Sequence, residues 1–150
     1  MGSSIEAWIE YDNDALYYPE RAAEPPFSRP HNNCIPLTDF VAFRSGNNYR
    51  FFAAISGIRS QQGDPAPLFP LRGGLPPNVS GYTRRHVFEV ADDTDPNWGW
   101  LSYAEIEQAL AHMSIPQEKL GLSTNIVLDL MKSIEMRLGE GRSRLIFYIE

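Results

Sequence analysis

The chain has 150 residues, 43% of them hydrophobic, enough for one domain with a packed core. Its formal net charge of −6 argues against a broad surface for nucleic acid or for an anionic membrane. No apolar run approaches the ~20 residues of a membrane span, and no basic region precedes an apolar one near the start. We therefore expect a cytoplasmic protein. The single cysteine, Cys34, excludes an intrachain disulfide and is interpreted as an incidental free thiol.

The first predicted element is a strand, because Ile5, Ala7 and Ile9 recur with a period of two. Residues 12–33 then hold four prolines and show little periodicity, which predicts a long surface loop over 12–39. The side chains expected to fix this loop in part are Tyr17, Tyr18 and Phe27.

Helical spacing begins in residues 47–59, where the apolar positions are Phe51, Phe52, Ile55 and Ile58. Gly57 weakens the last turn of this predicted helix and suggests close packing there. A second long, proline-rich loop is predicted over residues 60–80.

The clearest helix start is Ser102, which forms a potential capping box with Glu105. One apolar stripe follows, made of Tyr103, Ile106, Leu110 and Met113. The next helix is predicted between Ser123 or Thr124 and Gly139. Its expected buried face consists of Ile126, Val127, Leu130, Met131, Ile134 and Leu138.

Residues 144–150 alternate and are rich in β-branched and aromatic side chains, which predicts a closing strand that pairs with the first one. The prediction is a single α+β domain over residues 1–150. It has a small, mainly antiparallel sheet that includes the N- and C-terminal strands, with about three helices packed on one face and long loops.

Catalytic and metal-binding patterns are weak in this sequence. The histidines, His31, His86 and His112, are far apart and lack the paired spacing of metal ligands. The acids of residues 89–95 lack the order of an EF-hand and are interpreted as a solvated turn. A hydrolase remains an alternative without a nucleophile elbow to support it. We therefore predict no catalytic residue, no metal and no cofactor.

Residues 71–77 place Arg72 before two glycines and two prolines. They lack the terminal Lys-Ser or Lys-Thr of a P-loop and the three spaced glycines of a dinucleotide fingerprint. A backbone nest beside a guanidinium could hold an anion. The favoured interpretation is a rigid loop in which Arg72 binds backbone carbonyls or a carboxylate.

Three aromatic residues, Trp98, Trp100 and Tyr103, lie within six positions. The core would absorb one or two of them, and Gly99 suggests that another leaves its ring at the surface. Tryptophan, tyrosine and arginine dominate binding hot spots, and Arg44 joins the arginines expected nearby. The predicted binding residues are Arg50, Arg59, Arg72, Gly73, Trp98, Trp100 and Tyr103. They would suit a nucleotide-like anion or an acidic protein surface. The alternative is that these residues form separate salt bridges and pack in the core, without a common binding site.

Four segments in order resemble a family of small phage and prophage proteins. These are residues 48–59 (NYRFFAAISGIR), 70–80 (PLRGGLPPNVS), 100–105 (WLSYAE) and 144–148 (RLIFY). The family pattern runs RNYxLFAxLAxVRN, PRGLPxDVS, HSxSWLTLxEL and VRLVFWFD. The resemblance covers most of the chain, from about Trp8 to Tyr148. The family's His-Ser-x-Ser is replaced here by residues 95–99, and an extra glycine follows Arg72.

The resemblance implies a phage origin and a shared fold, and it implies no mechanism. Small phage proteins often bind and disable a host protein, so we favour a non-enzymatic protein that inhibits a host defence component. The main alternative is a protein that sequesters a nucleotide-like signal.

Overall fold

The computed structural model describes residues 5–30, 32–37 and 49–149. The strands found there are β1 (Ile5–Tyr11), β2 (Asn33–Pro36), β3 (Trp98–Ser102) and β4 (Ser143–Ile149). The α-helices are α1 (Asp14–Tyr17), α2 (Tyr49–Ser56), α3 (Gly81–Val87), α4 (Tyr103–His112) and α5 (Leu122–Leu138). Short 3-10 helices cover Pro19–Ala23 and Gln117–Lys119.

The four strands form one sheet in the order β2-β1-β4-β3, and every neighbouring pair is antiparallel. β1 and β4 pair along their whole length, from Ile5 opposite Ile149 to Tyr11 opposite Ser143. The predicted pairing of the first and last strands is therefore confirmed, and so is the α+β class.

Three helices cover one face of the sheet. Ile5, Ala7 and Ile9 share one cluster with residues of α2, α4 and α5, because alternate strand residues point to the same side. The predicted apolar stripe of α4 lies in this cluster, as do Phe51, Phe52 and Ile55 of α2.

The second face of the sheet is also covered, although the sequence predicted helices on one face only. Trp8, Trp98 and Ile146 form a second cluster there with Val79 and Val87, the last of these from α3. Helix α3 has only seven residues and few apolar ones, so its sequence shows no stripe of helical period.

Two helix boundaries differ from the prediction. Helix α2 ends at Ser56 because Gly57 turns into the left-handed region, with φ 81°. A Cβ on Gly57 would lie 3.1 Å from Pro67 Cγ, which confirms the expected close packing. Helix α5 begins at Leu122, after Gly121, rather than at Ser123 or Thr124.

The buried face of α5 was also predicted partly wrong. Ile126 is 39% exposed, whereas the fully buried positions are Thr124, Val127, Leu128 and Met131. These positions follow the i, i+3, i+4, i+7 spacing of one helix face. The sequence favoured Ile126 over Thr124 because isoleucine is apolar. In the structure Thr124 is the buried residue.

The predicted loop over 12–39 contains α1, a 3-10 helix and β2, and its residues 31, 38 and 39 lie outside the described residues. Phe27 is buried as expected, but Tyr17 is 73% exposed and Tyr18 is 46% exposed. Tyr17 and Tyr18 therefore do not fix the segment through burial.

Polar groups hold this segment instead. The carboxylate of Asp12 accepts the backbone N–H groups of Asp14 and Phe27 at 3.1 and 2.8 Å. Arg142 donates to Asp12 at 2.6 Å and to the carbonyl oxygens of Ala22 and Glu24. Asp12 and Arg142 are both buried. Their ion pair therefore anchors the segment after β1 to the ends of β1 and β4.

A second buried ion pair lies in the sheet. Glu10 and Arg144 face each other across β1 and β4, with Arg144 Nη2 2.6 Å from Glu10 Oε1. The other carboxylate oxygen accepts from the N–H of Ser80 at 2.8 Å and the hydroxyl of Thr83 at 2.6 Å. Arg144 also donates to the carbonyls of Pro77 and Asn78, at 3.1 and 3.3 Å. The pair thus joins the central strands to residues 77–83.

Arg144→Met should destabilise the protein by about 3–5 kcal/mol, because Glu10 would be left charged and unpaired in the interior. Urea denaturation followed by circular dichroism measures the change. Arg29→Met is the matched control, since the ion pair of Arg29 with Glu24 lies at the surface, and it should change the unfolding midpoint little. Equal unfolding midpoints for the two variants would contradict the prediction that Arg144 compensates the buried charge of Glu10.

Candidate functional site

Residues 69–79 wrap around the free edge of β3. Phe69 and Leu71 pack against the cluster on the helix side of the sheet, whereas Leu75 and Val79 pack against the cluster on the other side. Arg72 lies between them and donates to the carbonyl oxygen of Trp100 at 3.3 Å. The segment therefore covers a sheet edge that would otherwise present unpaired backbone groups.

Glu105 fixes the position of Arg72. The guanidinium bonds both carboxylate oxygens, with Nη1 3.2 Å from Oε1 and Nη2 against Oε2. The same carboxylate accepts the N–H of Ser102 at 3.0 Å and so completes the predicted capping box of α4. These contacts confirm the favoured prediction for Arg72, a rigid loop arginine bonded to a carbonyl and a carboxylate.

The electrostatics of Glu105 follow from these contacts. Burial alone raises the pKa of this carboxyl, but the hydrogen bonds from Arg72 and from the Ser102 N–H lower it by more. The net effect is a pKa below the usual value, so Glu105 is charged at neutral pH and holds the guanidinium electrostatically.

Trp100 is the partly exposed member of the predicted aromatic cluster. The Arg72 guanidinium carbon lies 4.3 Å from the centroid of its ring, a cation–π distance. Since Arg72 is itself held by Glu105, the indole is fixed before any partner arrives.

Trp98 and Tyr103 lie in the core, so they do not present a surface to a partner. Trp98 is fully buried between Trp8 and Tyr148, with ring centroids 5.6 and 4.9 Å away. Its indole N–H donates to the carbonyl of Asp92 at 2.8 Å and so anchors the acidic turn. Burial, helped by nearby carboxylates, raises the pKa of Tyr103. The expectation that the core absorbs one or two of the three aromatics is confirmed.

Gly99 has a packing role, which corrects the sequence interpretation. A Cβ at this position would lie 2.6 Å from both Leu71 Cδ1 and Phe147 Cε2. Glycine therefore lets the 69–79 segment approach the sheet. In that segment it is Gly74, at φ 84°, that adopts a left-handed conformation, while Gly73 lies near Pro96 with room for a Cβ.

A groove of about 210 Å³ opens beside Trp100. Its lining residues are Pro26, Phe27, Pro77, Trp100, Ser102, Gly141 and Arg144. Arg144 forms its polar part, and the guanidinium carbon lies 3.9 Å from the centroid of the Phe27 ring. Sequence reasoning did not include Phe27 or Arg144 in the site, although a charged residue at an alternating position of an apolar strand is a signal for Arg144.

Two residues near this groove adopt unusual backbone conformations. Phe27 has φ 58° and Asn78 has φ 57°, in the left-handed region that non-glycine residues rarely adopt. The Asn78 side chain donates to the Phe27 carbonyl at 2.8 Å, and Phe27 N–H is bound to Asp12. These bonds hold Phe27 in a conformation that costs free energy, which is common at functional sites.

The other predicted arginines are engaged elsewhere. Arg50 forms a bidentate ion pair with Asp64, at 2.8 and 3.1 Å, which lowers the pKa of Asp64. Arg59 lies over Tyr49, with its guanidinium carbon 4.7 Å from the ring centroid. Arg44 lies outside the described residues. Arg50 and Arg72 thus have different carboxylate partners, as the salt-bridge alternative stated.

Groups with catalytic potential are dispersed. His86 Nδ1 and His112 Nε2 contact the carbonyl oxygens of Tyr82 and Ala66, and His31 lies outside the described residues. Burial raises the pKa of the Cys34 thiol, nearby Glu10 raises it further, and a hydrogen bond with Thr83 opposes both. Such a thiol is a weak nucleophile at neutral pH.

The described part of the chain lacks two further features. It contains no group of three or more His, Cys, Asp or Glu side chains placed to hold a metal ion. It also contains no helix with the length and apolar character needed to cross a membrane.

Comparison with known proteins gives no match to any family model, to any curated protein or to any solved structure. The resemblance to phage proteins therefore stays a prediction.

Glu105→Gln should reduce stability by at most about 1 kcal/mol at pH 6–7, because the Arg72–Glu105 pair is partly exposed. Glutamine keeps the capping box. Since the folded pKa of Glu105 lies below the unfolded value near 4.3, its stabilisation is present above that pH and is lost as the pH falls through the folded pKa. Thermal unfolding from pH 7 to pH 3 tests this. A stability difference between the parent and the variant that does not depend on pH would contradict this expectation.

Gly99→Ala should destabilise the protein by about 1–3 kcal/mol, because the new methyl group would overlap Leu71 and the Phe147 ring. Gly81→Ala is the matched control, since no atom lies within 4 Å of a Cβ at that position. Urea denaturation of both variants tests the expectation, and a neutral Gly99→Ala would show that the 69–79 segment is not packed against β3.

Proposed function

We propose that the chain is a non-enzymatic binding protein of phage origin that binds a host protein, a defence component, through the surface around Trp100. The phage origin and the host target rest on the sequence resemblance. The binding surface rests on one observation, a partly exposed tryptophan fixed by Arg72, which is itself fixed by Glu105.

Pre-organisation supports this role. A side chain that is immobilised before binding loses little conformational freedom in the complex, so more of its contact free energy contributes to affinity. Arg72 lies over the Trp100 ring and donates to the Trp100 carbonyl. Arg144 lies over the Phe27 ring, and Asp12 and Asn78 bind the Phe27 backbone. Tryptophan and arginine at the centre of a fixed surface are typical of binding hot spots.

The charge arrangement favours a protein partner over a free anion. Arg72 and Arg144, the cations of this surface, are both bound to carboxylates, Glu105 and Glu10. A phosphate would have to compete with these internal partners. A protein that contacts Trp100 and the groove through apolar and hydrogen-bonding groups would leave both ion pairs intact.

A small-ligand function is the second candidate, and the groove supports it. Its lining combines the rings of Phe27 and Trp100 with the Arg144 guanidinium, groups that can stack on a planar, nucleotide-like molecule. In that case the protein would sequester a signal, and no chemistry on the ligand is required.

Trp100→Ala should abolish capture of a stoichiometric partner from host lysate and should weaken the purified complex at least about thirtyfold, as expected for a hot spot. The parent and Phe88→Ala are run alongside, because Phe88 is an exposed aromatic that does not line the groove beside Trp100. Isothermal titration calorimetry with the purified partner gives the affinities.

Thermal stability measured first shows whether each variant is folded. Equal affinity of the Trp100→Ala variant would place the binding surface elsewhere. Stabilisation of the parent by nucleotides, lost in the Trp100→Ala variant and combined with no captured protein, would favour the small-ligand function.

A further inference from the structure

A second recess lies between α1 and the end of α5. This α1/α5 cleft has a volume of about 340 Å³, near the lower end of the range for small-ligand sites. Its lining residues are Tyr11, Asn13, Leu16, Ile134, Arg137 and Leu138. None of them lines the groove beside Trp100.

The polar groups in this lining are hydrogen-bond donors. Asn13 uses its side-chain oxygen to accept from Asn33 at 3.1 Å, which leaves its NH₂ group as a donor. Within the described residues, that NH₂, the Tyr11 hydroxyl and the Arg137 guanidinium have no hydrogen-bond partner, and no lining residue is acidic. An unpaired cation beside two neutral donors is complementary to a carboxylate.

The remaining lining is apolar and unusually exposed. Leu16 is 62% exposed, and Ile134 and Leu138 are partly exposed. Large apolar side chains grouped at a surface mark interaction sites.

We propose that the α1/α5 cleft binds the free C-terminus of a protein chain whose last residue is large and apolar. The terminal carboxylate contacts Arg137 and the Asn13 NH₂, and the last side chain packs on Leu16, Ile134 and Leu138. One residue supplies both the charge and the apolar group, which matches the small size of the cleft.

The size of the cleft favours this occupant over two others. A long fatty acid has a carboxylate as well, but its alkyl chain needs an elongated enclosure. An internal acidic residue places its carboxylate on a different side chain from the apolar group, so two residues must be accommodated.

Titration of the ¹⁵N-labelled protein with acetyl-Gly-Ser-Gly-Leu carrying a free carboxyl group tests the proposal by NMR. The expected result is saturable shifts of backbone amides in residues 11–16 and 134–138. The same peptide with a C-terminal amide should bind at least about tenfold more weakly, because it lacks the charge-assisted bond. Arg137→Gln should weaken the free acid by a similar factor, whereas Arg85→Gln, an exposed arginine on α3, should leave it unchanged.

Thermal unfolding verifies that Arg137→Gln is folded; if it is not, Leu16→Ser replaces it, with the same expected loss. Equal binding of acid and amide, tighter binding of octanoate, equal binding of acetyl-Gly-Ser-Glu-Leu-amide, or no saturable shift at millimolar peptide would each overturn the proposal. Because Trp100 takes no part in this experiment, its outcome is independent of the proposed function.

Discussion

The buried ion pair of Glu10 and Arg144 is the constraint on which the covering of the second sheet face depends. Both side chains lie in the interior, and burial lowers the pKa of Arg144 while the Glu10 carboxylate opposes that effect. A buried pair is tolerated only when its remaining hydrogen-bonding capacity is also used. Ser80, Thr83 and the carbonyls of Pro77 and Asn78 provide those bonds. The paired central strands therefore require residues 77–83 in one position.

Because of this requirement, the two proline-rich connections that contain Phe27 and Asn78 have fixed positions in the fold. Arg144 lies against the Phe27 ring, and the Asn78 side chain binds the Phe27 carbonyl, so the two long connections are joined to each other as well as to the sheet. Asp12 and Arg142 repeat the arrangement at the ends of the same strands. The groove beside Trp100 thus has walls from segments distant in sequence, which buried polar groups hold in place before binding.

Local signals predicted the elements that they govern. The period of two in β1 and β4 and the capping box of α4 depend on nearby residues, and the structure contains all three. Strand β3 (WGWLS) shows no alternation of apolar and polar residues, and helix α3 has too few apolar residues for a stripe of helical period, so both depend on tertiary contacts. The limited reach of local patterns also explains why the sequence predicted only part of the site. Arg72 was predicted, but Phe27 and Arg144 enter the site through contacts with Pro77 and Asn78 over at least 51 residues of sequence, which no local spacing shows.

Three of the four segments that carry the phage resemblance contact each other. Arg72 of the second segment binds Glu105 and Trp100 of the third, and Pro77 and Asn78 bind Arg144 of the fourth. A pattern in these segments is therefore explained by folding, and it requires no shared partner. Residues 95–99 depart from the phage pattern: Asp95 accepts from the Tyr148 hydroxyl at 3.3 Å, and Trp98 and Gly99 are buried in β3. Changes at Trp98 or Gly99 would therefore disturb the packing of β3, as predicted for Gly99→Ala.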